Sequence, residues 1–332
     1  MGIGLSISSF KMRQAVKRFF LKTLALGIPF ALFLGAYEFR ASRVHPNSFS
    51  VKKALMERQA RDVEVLVLGS SHAYYDVLPG LLGRPAFNLA DVSQSFFYDR
   101  ALLKKYLGQM PSLKLVVLPV SYFSLGYQLD DGTEHWRSYY YYKFYGLHHR
   151  DWRQNWNVRN FSDYFLCNDQ LGGIRKVFRG KIKDVSADYD PLGGWTNRVI
   201  NHAWEKPLSL PESAPVALKR HHDLMKSQHV PENTVILEDI IHELKVRGIK
   251  LVLVTTPVTH YYSDGMNAGQ YQQMQDILKR LSLDYGVSYF NYSFDSRFLD
   301  EDFYDCDHLN LHGAQKFSLL LKADVILPST GS

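Results

Sequence analysis

The chain has 332 residues, 46% of them hydrophobic and 22% charged. That balance supports a large buried core and excludes a disordered or low-complexity protein. The net charge of +6 is confined to one end: residues 1–43 carry seven basic side chains against Glu38 alone, so the remainder is neutral. A basic nucleic-acid surface is thereby excluded, and no zinc-finger, helix-turn-helix or RNP-type signature is present.

Residues 1–18 read as a basic tail on the cytoplasmic side. Residues 19–39, FFLKTLALGIPFALFLGAYEF, are an apolar run broken only by Lys22 and Glu38 near its ends. At a rise of ~1.5 Å per residue it crosses a ~30 Å hydrocarbon core. The two charges can snorkel to the interfaces, and Pro29 is acceptable in a membrane helix. A cleaved signal peptide is the alternative. The bulky, charged stretch LGAYEFRASR at 34–43 offers no A-x-A-like cleavage site and favours a retained anchor. The excess of basic residues before the run puts the N-terminus in the cytoplasm and the bulk of the chain outside, across an inner or cytoplasmic membrane.

Residues 40–61 read as a juxtamembrane linker or helix. Residues 62–330 form the main domain. Its first strand is 63–69 (VEVLVLG), followed by a helix over about 74–82, a strand at 85–90, a helix over about 95–108 and a strand at 114–121. The alternation stops at 122–232. It resumes with a helix near 233–247, a strand at 250–256, a helix near 268–284, a strand at 287–292 and a helix from about Leu311 to Leu321. Alternating strands and helices imply a parallel, doubly wound α/β sheet covered on both faces. Ligands bind such sheets beyond the carboxyl ends of the strands, which is where chemistry is expected.

At the first strand end stands Gly69-Ser70-Ser71-His72. A serine at a strand-to-helix turn can expose its hydroxyl near a helix N-terminus, where developing negative charge is favoured. Serines also cap helices routinely. Near the other end, DFYDCDHLNLHGA (302–314) places Asp305 three residues before His308. That spacing lets the carboxylate take one imidazole nitrogen and leaves the other free to act as a base. A surface Asp–His pair, or a metal site from Asp305, Asp307, His308 and His312, are the competing readings; no second ligand cluster supports the metal. His72 could orient a substrate or bond the nearby backbone, and Asp76 reads as a solvated helix residue. Cys167 and Cys306 could form one disulfide, but two unpaired thiols are expected. No nucleotide fingerprint is present, and neither cofactor nor metal is expected.

Together, LGSSHA and DCDH resemble the nucleophile block and the final D-x-x-H block of the SGNH/GDSL hydrolases. Ser70 replaces the aspartate of the GDS block. The resemblance covers roughly residues 63–121 and 232–325, and implies a flavodoxin-like sheet with Ser71, His308 and Asp305 as a catalytic triad. It is nearest in kind to divergent membrane-anchored members of envelope polysaccharide systems, such as the alginate acetylation proteins and the D-alanine transfer protein of teichoic acid synthesis. The oxyanion blocks depart from the family pattern. FNLADVSQS has Ala90, Asp91 and Ser93 where glycines would be comfortable, and VLPVSYFSL has Ser121 and no asparagine. Asn88, Ser93, Ser121 and His72 are the expected oxyanion or substrate groups.

The insertion 122–232 is rich in aromatics, and Trp136 and Trp195, with His260 and Tyr261 beyond the fourth strand, are the expected substrate rim. Packing on the sheet or at the membrane interface would use such rings equally well. The expected function is acyl transfer or ester hydrolysis on an envelope or exported polysaccharide, with the bilayer, that polymer or an acyl donor, and a membrane-bound acyltransferase as partners. A non-catalytic scaffold and a lipid esterase are the alternatives.

Overall fold

The computed structural model describes residues 4–44, 47–167, 173–180, 190–194 and 209–330. The chain divides into two compact units, residues 1–46 with 161–184, and residues 47–160 with 185–332.

The smaller unit is built on α1 (Gly4–Val44), which runs unbroken through Pro29. Within it, Met12–Val44 is long and apolar enough to cross a membrane, with a mean hydropathy of 1.8 over its most apolar window. The helix continues past the expected span. Phe33, Tyr37 and Ala41 pack on Tyr164 and Val177 of the insertion, Arg40 donates to the carbonyls of Phe178 and Gly180, and Ser162 donates to Glu38. Part of the insertion is thus a clasp for this helix, because its rings would otherwise be left exposed.

The larger unit begins with α2 (Ser48–Gln59), capped by the Asn47 side chain. Its five strands are β1 (Val65–Val67), β2 (Ala86–Asn88), β3 (Leu115–Pro119), β4 (Lys250–Thr255) and β5 (Ser288–Asn291), in the order β2-β1-β3-β4-β5. Every neighbouring pair is parallel. This is the flavodoxin-like order, and its switch point lies between β1 and β3. The expected strands are all present, each shorter than its apolar run. β1, β2 and β3 are buried throughout, as parallel strands covered on two faces must be.

Between them run α3 (Ser71–Asp76), α4 (Phe96–Leu107), α5 (Leu210–Leu224), α6 (His229–Val246), α7 (Ala268–Tyr285) and α8 (Leu311–Leu321). On one face Val65, Val67, Leu115, Val117, Val252 and Val254 meet Ala73 of α3 and Ala314, Phe317 and Leu321 of α8. By the alternation of strands, Leu66, Val116 and Leu253 point to the other face, which α6 covers, packed on β4 and on α4. The insertion is less irregular than its composition implies. α5 forms despite Pro211 and Pro215, and buries Ala214, Ala217, Leu218 and His221 along one side. Pro211 falls in the first turn, where no N–H is needed.

Asp76 is no solvated helix residue. It is fully buried at the end of α3 and its Oδ1 accepts from the Leu309 N–H at 3.0 Å, tying α3 to the loop before α8. Burial raises its carboxyl well above the ordinary range, against the opposing pull of His308 and the Leu309 N–H.

Two outcomes follow from this packing. Gly69, between β1 and α3, has φ +117°, and a Cβ there would lie 3.1 Å from the Ala73 Cβ. Gly69→Ala should cost ~1–3 kcal/mol, read as a lowered midpoint of thermal unfolding; an unchanged midpoint would contradict this. For Asp76 the folded acid holds its proton more tightly than the unfolded one, so its contribution falls as pH rises above about 4. Asp76→Asn, neutral at every pH, should gain stability relative to wild type as the pH is raised from about 4 towards and beyond neutrality. A stability difference that does not change over that range would contradict the raised carboxyl.

Candidate active site

The turn after β1 aims Ser71 at the switch-point crevice. Ser70 occupies the N-cap position of α3 with extended backbone and makes no side-chain cap bond, so capping does not account for these serines. Ser71 is the first helical residue, and its N–H has no intrahelical acceptor. Asp99 of α4 fixes the turn from below by accepting from the Gly69 N–H at 2.7 Å and from Gln94 Nε2 at 2.6 Å. Burial pushes its carboxyl up to about 7, against these two bonds.

The partner loop lies between β5 and α8. Asp305 Oδ1 accepts from the backbone N–H groups of Asp307 (3.1 Å) and His308 (2.8 Å), closing a tight turn. The same carboxylate receives His308 Nδ1 at 2.9 and 3.0 Å. His308 Nε2 then lies 2.9 Å from Ser71 Oγ, across 237 residues of sequence. Downstream, Asn310 caps α8 through the Gly313 N–H. Serine, imidazole and carboxylate are thus in the line that the D-x-x-H spacing implied. Burial of the His308 ring opposes its charge, but Asp305 and then Asp307 outweigh that cost, and the imidazole is pushed up to about 10.

The crevice above is a cavity of about 320 Å³. Tyr75, Val92, Phe123, Tyr127, Leu224 and Leu309 give it an apolar wall, and Ser93, Thr133, Glu134, Arg220 and His221 supply polar groups beside Ser71, Asp305 and His308. Glu134 is held by Arg137 at 2.6 Å and accepts from Ser93 Oγ at 2.8 Å. Ser93 has φ +61° and is the sole non-glycine residue with positive φ among those described. The loop thus adopts at Ser93 the left-handed conformation for which glycine is the ordinary choice. Lys52 of α2 braces the same loop, donating to the Ala90 carbonyl and standing 3.7 Å from Asp91.

The other expected site residues separate into two groups. Asn88, expected at the oxyanion, is a buried brace: its Nδ2 donates to the Ala73 and Val77 carbonyls at 2.8 and 2.9 Å, and its Oδ1 accepts from Ala90 N. Its position at the end of β2, under α3, commits the whole amide to the backbone. His72 and Ser121 are also buried and do not line the cavity. They bond each other at 2.6 Å through His72 Nδ1, and His72 Nε2 meets Asp307 at 3.2 Å. Trp136 packs on Tyr140 and under Arg137, His260 is exposed beside Asp264, and Tyr261 packs against a satellite cluster beside α5; none of these lines the cavity. Trp195 lies outside the described residues.

Sequence reasoning missed Glu134, Arg220, His221, Leu224 and the part played by Asp307. The signal for α5 was present: Ala214, Ala217, Leu218 and His221 repeat at helical spacing, masked by two prolines. His72, Asp307 and His308, and likewise Asp305, Cys306 and Asp307, bring metal-ligand atoms close together. Both nitrogens of His72 and of His308 are nonetheless already hydrogen-bonded within the protein. Cys306 is a free, buried thiol, pushed up by burial.

No family model matches the chain, and no curated protein matches it. Solved structures with remote similarity include a protein provisionally described as an acylhydrolase from Bacteroides fragilis, with 10% identity, 86% of this chain and 98% of that one covered, and a TM-score of 0.40. Another, provisionally described as a platelet activating factor from Streptococcus pneumonia, has 13% identity, 91% and 99% coverage and a TM-score of 0.41. A GDSL-like lipase from Bacteroides thetaiotaomicron has 9% identity, 83% and 97% coverage and a TM-score of 0.38.

Proposed function

We propose that the chain is a membrane-anchored serine hydrolase or acyltransferase of the SGNH kind, with Ser71 as nucleophile, His308 as base and Asp305 as the carboxylate that orients it. The observation that carries this is the unbroken Ser71–His308–Asp305 line at the switch point of a parallel sheet, opening into a cavity. Ser71 Oγ attacks the acyl carbon while its proton passes to His308 Nε2, and Asp305 holds the Nδ1–H. The Ser71 N–H, at the start of α3, faces the developing oxyanion, and the Ser93 loop supplies the second wall. His308 returns the proton to the departing alcohol. Water or a sugar hydroxyl then releases the acyl group by the same steps in reverse.

The polar acceptor side is an envelope or exported glycan, handled outside the cytoplasmic membrane. Support for this comes from the resemblance of the two motifs and from the basic-flanked apolar helix. The cavity, at about 320 Å³, is within the range that holds a small ligand, and its tyrosines and phenylalanine suit a sugar face.

The test is hydrolysis of a chromogenic acetyl ester by the full chain in detergent. Ser71→Ala should lower the rate by roughly 10³-fold or more with folding intact. Equal rates in the two proteins would sink the proposal. The pH dependence has a definite sign. The base works only when unprotonated and its resting value is raised to about 10, so the rate should climb about tenfold per pH unit from neutrality and level off only near that value. A plateau already reached at about pH 7 would contradict this charge state.

A further inference from the structure

Behind the triad, one carboxylate gathers three imidazoles. Asp307 Oδ2 lies 3.2 Å from His72 Nε2 and 3.8 Å from His221 Nε2, and its Oδ1 lies 3.6 Å from His308 Nδ1. The Cys306 thiol donates to that Oδ1 at 3.4 Å. Asp307 and His72 are 1% and 2% exposed, so solvent and salt screen this cluster little. His72 is clamped by Ser121 at 2.6 Å, and His221 by the Tyr262 hydroxyl at 2.6 Å.

The charges in the cluster are unequal. Burial lowers both His72 and His221, the latter to about 3, so both are neutral at pH 7. Burial works against ionising Asp307, but the His308 charge and the His72 hydrogen bond overcome it and hold the acid well below the ordinary range. His308 therefore meets two carboxylates at the same nitrogen, where a triad needs one.

We propose that Asp307, clamped by His72 and Ser121, is a positioning residue that acts as a second carboxylate on His308 and sets the pH at which the base becomes available to Ser71. The inference rests on the reading of Ser71 and His308 as nucleophile and base. Among the described residues, the groups facing His308 come from four places. Asp305 and Asp307 stand on its own loop. Asp76, its carboxyl raised by burial against the pull of His308, comes from α3 with His72 and the Tyr75 ring. His221 comes from α5. Across the cavity are Arg220 and Glu134, the latter paired with Arg137. Beside Asp305, Asp307 is the buried carboxylate whose oxygen stands within 4 Å of His308 Nδ1.

The test uses the full chain in detergent with imidazole-labelled histidine. The titration of each histidine is followed by NMR, beside the pH profile of ester hydrolysis. Asp307→Asn keeps the shape and the acceptor for His72 but removes the charge. The His308 midpoint should fall by at least one pH unit, tenfold in proton affinity, and the rising limb of kcat/KM should move with it while KM stays unchanged. Ser121→Ala, which loosens only the clamp, should move both the same way by less. Asp305→Asn should instead lower kcat by about 10⁴ through loss of the tautomer. A His308 midpoint equal in wild type and Asp307→Asn overturns the inference. So does a wild-type midpoint near the ordinary 6.5, which needs no variant to fold. If His308 moves as expected but no ester is turned over, the enzymatic reading fails and the catalytic part of this inference falls with it, while the electrostatic coupling of Asp307 to His308 stands.

Discussion

The bond between Ser71 and His308 depends on a turn that is closed before any substrate arrives. Asp305 spends one oxygen on two backbone N–H groups and on the imidazole, so the loop conformation and the orientation of the base are one constraint. Asp76 fastens the next residue, Leu309, to the helix that begins with Ser71. The first and last loops of the sheet are thereby held in register by buried polar bonds, and the carboxyl ends of β1 and β3 leave the crevice into which both project.

That arrangement concentrates acid around one imidazole. Asp305 and Asp307 stand within 4 Å of it, and the buried Asp76 carboxyl is raised well above its ordinary range against the pull of His308. A buried cluster of this kind is stabilised by its completeness, since removing one partner strands another. On the proposed reading the consequence is a base that starts charged. A strongly held proton on His308 would favour the imidazolium formed in the transition state, and for the same reason would lower the fraction of protein ready to react at neutral pH.

Much of this architecture was readable in the sequence, for physical reasons. β1, β3 and β4 are continuous apolar runs because parallel strands are buried on both faces, and both motifs lie at strand ends because that is where the sheet opens. Asp305 was distinguishable from Asp307 by spacing alone, since three residues fit one turn. What could not be read was burial created by distant contacts. Asp76 looks like any acid on a short helix until Leu309 arrives from the far end of the chain. Asn88 looks like a free amide until α3 covers it. Arg220 and His221 reach the cavity only because α5 folds through two prolines, and Ser93 carries a backbone conformation that its residue type hides.

The central claim is that Ser71 is a nucleophile activated by His308. The most direct measurement is the site of covalent modification by a fluorophosphonate. The full chain in detergent is treated at alkaline pH, digested, and its peptides weighed. The account predicts one phosphonyl adduct, on Ser71, whose formation requires His308. A folded protein that takes up no phosphonate, or carries it on another residue, would contradict it.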